Sequence, residues 1–269
     1  MRVLIATEPG NPERDNEDWA TATPDMLVVL DGATARIDTG CIHGIAWYAN
    51  KLGGAIVAEA ADHHRSLRDV LATAIRDVAA MHPQCDLAHP GTPSAAVGIL
   101  RRRKGILDLL ALADVTIVLR KSHGNVVAMT DDRVDKVAVE ERRRALSLDP
   151  GDPARELAMN AMKRAQLAAR NRPGGFFVAA ADPGVADHAF VDSLQLSDLT
   201  EAAILSDGAA IGVRKMGLMT WEELMHCLAG SGPESLIRKV REAERTDPTL
   251  HRWPRTKASD DATVAYVQF

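Results

Sequence analysis

Asp25–Gly32 reads DMLVVLDG. The unbroken apolar run Met26–Leu30 fits a strand buried on both faces, and it stops at an aspartate followed by a glycine. One Asp-Gly after a strand is ordinarily a turn. The same pattern recurs outward from this point. NED at 16–18 precedes the strand-like WATAT, ALADVTIVL at 111–119 carries Asp114, AAILSDG at 202–208 ends on Asp207-Gly208, and DDATVAYVQF at 260–269 opens on Asp260-Asp261. Carboxylates gathered at strand ends repel one another unless cations join them. Oxygen donors of this kind suit hard divalent ions such as Mg²⁺ or Mn²⁺.

The surrounding chain alternates strand-rich and helix-rich blocks. MRVLIATE, DWATATP and DMLVVLDG are predicted strands. Helical spacing runs from about Gly40 to His63 and again over Leu67–Met81, with Ser66 as the N-cap of the second helix. SAAVGILRRRKG, ILDLLALADVTIVLRKS and NVVAMTDD follow as an antiparallel meander with turns at Lys104-Gly105 and His123-Gly124-Asn125. Helices are predicted over about Val134–Ala145 and Pro153–Arg170, then strands in GGFFVAAADP and EAAILSDG. TWEELMHCLAG starts with a capping box, Thr220 and Glu223. PESLIRKVREAERT is a further helix, and the chain closes on a strand. Strict β-α alternation is missing, which disfavours a parallel doubly wound sheet. The order points to an α+β sandwich, read as a single domain over 1–269.

Composition narrows the function. The 269 residues are 46% hydrophobic and 26% charged, with aromatics at only 4%, so the core rests on Ala, Val, Leu and Ile. The scarcity of aromatics and the net charge of −5 argue against a nucleic-acid surface. The basic runs Arg101–Lys104 and Arg142–Arg144 read as a hairpin turn and a solvated helix face. No apolar stretch is long enough to span a bilayer, and the first residues turn polar too early for a signal peptide. Cys41, Cys85 and Cys227 have no CxxC spacing and read as reduced thiols. Cys41 lies close to His43, with no second ligand pair evident to complete a zinc site. These features are those of a soluble cytoplasmic protein. P-loop, dinucleotide-binding, nucleophilic-serine and HExxH motifs are all absent.

The ordered blocks NED, VVLDG, GTPSAAV, ALADVTIVL, MTDD, AILSDG and DDATV resemble the metal-dependent protein phosphatases of the 2C class, over nearly the whole chain. The SDG and terminal DDATV blocks match best. The resemblance implies a four-layer αββα sandwich of two antiparallel sheets flanked by helix pairs. It also implies a centre of two Mn²⁺ or Mg²⁺ ions between the sheets. In it Asp31 would bridge both ions, the Gly32 carbonyl would bind one, and Asp207 and Asp260 would complete the other. Asp18, with Glu17 beside it, would hold metal-bound waters, and Asp114 would serve a third, weaker ion. The implied activity is hydrolysis of phosphoserine or phosphothreonine proteins by a metal-activated water, without a covalent nucleophile.

The chain departs from this family's pattern in several places. The slot of the phosphate-binding arginine falls on Glu13, with Arg14 one place later. Arg14 is the candidate if the loop shifts, and Arg36 or Arg172 if it does not. DGATA replaces the glycine-rich continuation after DG, Ala33 stands where a histidine acid is found in eukaryotic members, and ADV replaces GDS. These departures also fit a weakened enzyme or a metal-binding regulatory module. A phosphatase of small metabolites shares the same centre. His43 reads as a helix-start residue or a substitute acid, and Trp47 and Tyr48 as packing. Arg170 and Arg172 read as parts of a polar loop or as phosphate contacts. Asp131 and Asp132 lie in a segment near the site.

Overall fold

The run at Met26–Gly32 is strand β3 of a computed structural model that describes residues 2–35 and 38–269. It is apolar throughout because both of its faces are covered. Val28 and Leu30 pack with Val97, Ile99 and Leu110 beneath α1 (Ile45–Ala60) and α2 (Leu67–Ala80). Leu27 and Val29 point the other way, into a second core with Ile117, Ile204 and Val267. The period-two alternation of a strand thus divides one continuous hydrophobic run between two layers.

β3 lies antiparallel between β2 (Trp19–Thr23) and β4 (Ala95–Arg103). β4 returns as β5 (Ile106–Leu112) through Lys104-Gly105, both at positive φ (47° and 81°), as a tight hairpin of right-handed twist requires. β8 (Phe190–Gln195) pairs with β5 and completes a sheet of order β2-β3-β4-β5-β8. The second sheet has the order β1-β10-β9-β6-β7. Its strands are β1 (Arg2–Glu8), β6 (Thr116–Lys121), β7 (Val126–Thr130), β9 (Leu199–Leu205) and β10 (Ala262–Gln268). Val118, Ala203, Leu205 and Tyr266 on its outer face pack with residues of α5 (Asp207–Arg214), α6 (Trp221–Ser231) and α7 (Pro233–Arg245). The layers run helix pair, sheet, sheet, helices: the expected αββα sandwich. Beside it, α3 (Val139–Leu146) and α4 (Pro153–Ala169) enclose a small cluster of their own, Ala145, Ala158, Met159 and Met162.

Several expectations are corrected. The stretch from 95 to 130 is not one meander. The chain leaves the first sheet after β5, turns at Ala113 (φ 64°), and enters the second sheet at β6. The apolar run is continuous across this switch, so alternation could not reveal it. GGFFVAAADP forms only isolated bridges, Ala95 with Ala179 and Arg170 with Phe176. β8 and α5 were not anticipated. β8 is a half-polar edge strand, and α5 starts at the Asp-Gly that reads as a turn. The first helix begins at Ile45 rather than Gly40.

The caps are as predicted. Ser66 accepts the Asp69 amide, and Thr220 with Glu223 forms a capping box. The three arginines of the basic run at 101–104 are paired within the fold. Arg101, 2% exposed, and Arg103 share Asp108, and Arg102 meets Asp25 at 3.0 Å. Among the described residues no helix is long and apolar enough to cross a membrane.

Candidate functional site

The ends of β3 and β9, the start of β10 and the Ala113 switch all fall at one end of the sandwich. Each carries an acid there. Asp31, Gly32, Asp114, Asp207 and Asp260 line one cavity of about 340 Å³. The arrangement is fixed by backbone contacts. The Asp207 amide donates to Asp31 Oδ2 at 3.0 Å, tying the start of α5 to β3. Asp261 takes no place in the cavity lining. Its two oxygens accept the amides of Gly10 (2.8 Å) and Glu17 (2.7 Å), so it anchors the β1–β2 loop that carries the acidic pair. Gly208 has to be glycine, because a Cβ there would lie 2.1 Å from the Asp261 carbonyl oxygen.

Asp18 and Glu17 stand beside the cavity rather than in its lining. Asp18 is buried, and its Oδ2 has no hydrogen-bond partner. Burial pushes its pKa to about 8, with Asp261 and Asp207 adding repulsion and hydrogen bonds from Ser206 and Thr263 opposing it. Asp207 is pushed to about 7 by burial and by Asp260 and Asp114. Burial and four neighbouring aspartates hold Asp31 well above the carboxylate range, and burial raises Asp114 as well. Glu17 is raised by burial, although it accepts a short bond from Thr34. A buried carboxylate oxygen without a donor, among several acids that resist ionising together, fits a hard cation as the missing partner. The oxygen-only donor set suits Mn²⁺ or Mg²⁺.

Arg14 is exposed on the β1–β2 loop and does not line the cavity. Arg172 is exposed as well, and Arg36 lies outside the described residues. Arg170 does line the cavity, with its guanidinium directed to Thr92 O (2.9 Å), Ser94 Oγ (3.0 Å) and Pro90 O (2.7 Å). Asp131 is buried against Arg133 and Asp132 pairs with Lys136, so neither reaches the cavity. Tyr48 is buried, with its hydroxyl donating to Ala180 O at 2.7 Å, whereas Trp47 stacks on His43.

Three features were not anticipated. Lys257 enters the acidic cavity and donates to Asp260 Oδ1 at 2.5 Å and Thr34 Oγ1 at 2.7 Å. Asp260, Asp207 and Asp31 raise its pKa against the effect of burial. A lone lysine in a loop carries no local signal. Asp135 also lines the cavity, held by Arg142 (3.2 Å) and Arg214 (3.0 Å). Finally, Cys41 and His43 do have a second pair: His82 and Cys85 bring their side chains to them. The two pairs are separated by α1 and α2, so no sequence spacing announces them. None of the four lines the cavity.

No protein-family model and no curated protein matches this chain. Solved structures do. The catalytic domain of the serine/threonine protein phosphatase PstP, in complex with two manganese ions, superposes with a TM-score of 0.56 at 14% identity, covering 99% of this chain and 97% of that one. PppA, a regulatory component of the T6SS in Pseudomonas aeruginosa, gives 0.59 at 16% identity with 100% and 97% covered. The serine/threonine phosphatase Stp1 from Staphylococcus aureus gives 0.57 at 12% identity with 99% and 94% covered. At such identities the likeness is one of fold, and it spans the whole length of both chains. This chain has the fold of the PPM-type, 2C-like serine/threonine phosphatases.

Proposed function

We propose that the protein is a metal-dependent phosphomonoester hydrolase acting on phosphoserine and phosphothreonine in proteins. The observation that carries this reading is the convergence of Asp31, Asp114, Asp207 and Asp260 on one cavity, in a chain with this fold. Asp31, the Gly32 carbonyl, Asp207 and Asp260 would hold two Mn²⁺ or Mg²⁺ ions. Asp18 would act from behind them, and Asp114 would serve a third ion. When bound, such ions neutralise phosphoryl oxygens and acidify a water. The chain supplies the rest. The bond from the Asp207 amide to Asp31 keeps the two carboxylates in register. Lys257 offers the cationic donor nearest the acids, and Arg14 the one that the resemblance favours. The test is hydrolysis of para-nitrophenyl phosphate and of a phosphothreonine peptide, with and without Mn²⁺ or Mg²⁺. Metal-stimulated turnover of both is expected. Absence of turnover on either substrate with both metals overturns the reading.

The Lys257–Asp260 pair favours a second reading, a catalytically weak regulatory module. A resident ammonium neutralises part of the acid cluster and competes for a metal ligand. Calorimetry separates the two: metal binding without turnover on a phosphoester panel supports the module. The same panel, extended to small phosphorylated metabolites, distinguishes a metabolite phosphatase.

A further inference from the structure

Two short segments meet at the end of the α1–α2 pair. One is Thr39–Gly44, on the path from Gly32 to α1. The other is His82–Cys85, just past the end of α2. Cys41 Sγ lies 3.5 Å from Cys85 Sγ, 3.5 Å from His82 Nδ1 and 3.7 Å from His43 Nδ1, and Cys85 Sγ lies 3.4 Å from His43 Nδ1. All four donor atoms fall within 4.8 Å of one another. A tetrahedral ion with bonds of about 2.3 Å to sulfur and about 2.0–2.1 Å to nitrogen needs ligand atoms about 3.4–3.8 Å apart. The spacings agree.

The surroundings are built to hold these donors. The His43 amide donates to Cys41 Sγ at 3.4 Å. Trp47 stacks on the His43 imidazole, with ring centroids 4.2 Å apart, and presents itself edge-on to His82 at 4.7 Å. The Asp86 amide donates to Gly40 O at 2.9 Å, so the two segments are joined through their backbones as well. Two of the chain's three cysteines are spent here, and both are free thiols.

We propose that Cys41, His43, His82 and Cys85 form a structural Cys₂His₂ zinc site that staples the loop after β3 to the segment before β4. Two thiolates and two imidazoles are a closed, soft donor set. It prefers zinc to the hard ions that suit the aspartate cavity, so the two sites divide metals by chemistry. The staple sits where it steadies the cavity rim. Gly32, which precedes the first segment, and Thr92 and Ser94, which follow the second, line the cavity. The Ala33 amide donates to Ser94 O at 2.9 Å. The inference does not depend on the phosphatase reading.

The test is elemental analysis of the full chain, purified under reducing conditions without added metal. One zinc per chain is expected, released by a mercurial thiol reagent. Zinc should be lost in Cys41→Ser and Cys85→Ser and retained in Asp31→Asn and Asp207→Asn. Should the cysteine variants fail to fold, Co²⁺ exchange into the wild-type chain decides instead. Thiolate-to-cobalt charge transfer with tetrahedral d–d bands supports the site. A wild-type chain that holds no zinc and gives no such cobalt spectrum overturns it, as does zinc that leaves with the aspartate substitutions and stays with the cysteine ones.

Discussion

At the scale of single residues, the acids of the cavity differ in what their loss removes. Asp31 sits central to the cluster, and its pKa is raised by burial and by four other aspartates. If it bridges two ions, Asp31→Asn removes several kcal/mol of charge stabilisation, about a thousandfold or more in kcat. If Asp114 serves only a third ion, Asp114→Asn should cost much less; equal loss in two folded variants would contradict the assignment. Arg14→Ala should raise KM with kcat and metal affinity little changed. Unaltered kinetics would leave Arg14 an ordinary surface residue and turn attention to Lys257. The raised acids also make a pH prediction. Asp18 and Asp207, at about 8 and about 7, bind protons more tightly folded than unfolded, where 3.8 is usual. Their contribution to stability is complete below about pH 4 and lost as pH rises through 7 to 8. With Mn²⁺ and Mg²⁺ omitted, Tm should fall over that range, and Mn²⁺ should restore it. A flat Tm profile without metal would refute this. The aspartates could be found in the sequence because each ends or begins an apolar run. Lys257 and the pair His82–Cys85 could not, since they become partners of distant residues only through the packing of whole elements.

At the scale of elements, α1 offers a test in two adjacent glycines. In an exposed helix interior Gly→Ala stabilises by roughly 0.5–1 kcal/mol. Gly54 is exposed with no atom near a built Cβ, so Gly54→Ala should follow that rule. At Gly53 a Cβ would lie 2.2 Å from the ring of Trp19, the first residue of β2, which packs against the core beneath α1. There overpacking of about 1–3 kcal/mol outweighs the helical gain, and Gly53→Ala should destabilise. Urea melts of both variants check the opposite signs; stabilisation by both would show that α1 is free to move off Trp19. Elements with a clear period, such as α2 and β3, could be read locally. The passage from β5 to β6 could not, because a strand buried on both faces has the same composition in either sheet. α5 was hidden because Asp207-Gly208 begins a helix where such a dipeptide ordinarily makes a turn.

At the scale of the whole molecule, the two sheets share one core, in which residues of β3, β4 and β5 interleave with those of β6, β9 and β10. Cutting the chain into two units would open that core, so residues 1–269 are expected to unfold together. Calorimetry should give one transition whose van't Hoff and calorimetric enthalpies agree. Two separated transitions would mean that the sandwich is divided. The small cluster beneath α3 and α4 is the place for partial opening, and its amides should exchange before those of β3 and β10. An α+β sandwich was legible because helix pairs and apolar strands succeed one another in the sequence, and the αββα order came from the resemblance of the acidic blocks to the 2C class. The sheet orders were not, since pairings such as β1 with β10 and β5 with β8 join strands far apart in the chain.

The pairing of β1 sets a timetable for synthesis. Among the described residues its sole strand neighbour is β10, with Arg2 facing Gln268. On the ribosome β1 emerges before the other strands of the sandwich and waits for β10 while β2 to β9 are made. The acidic end is in the same position, because Asp261 anchors the loop bearing Glu17 and Asp18 only once it too has been translated. A nascent chain therefore carries an open strand and an unassembled cleft until Asp261 and β10 have left the exit tunnel. Closure of the second sheet and completion of the cleft then become a single late event, slow in the way of contacts between distant parts of a chain.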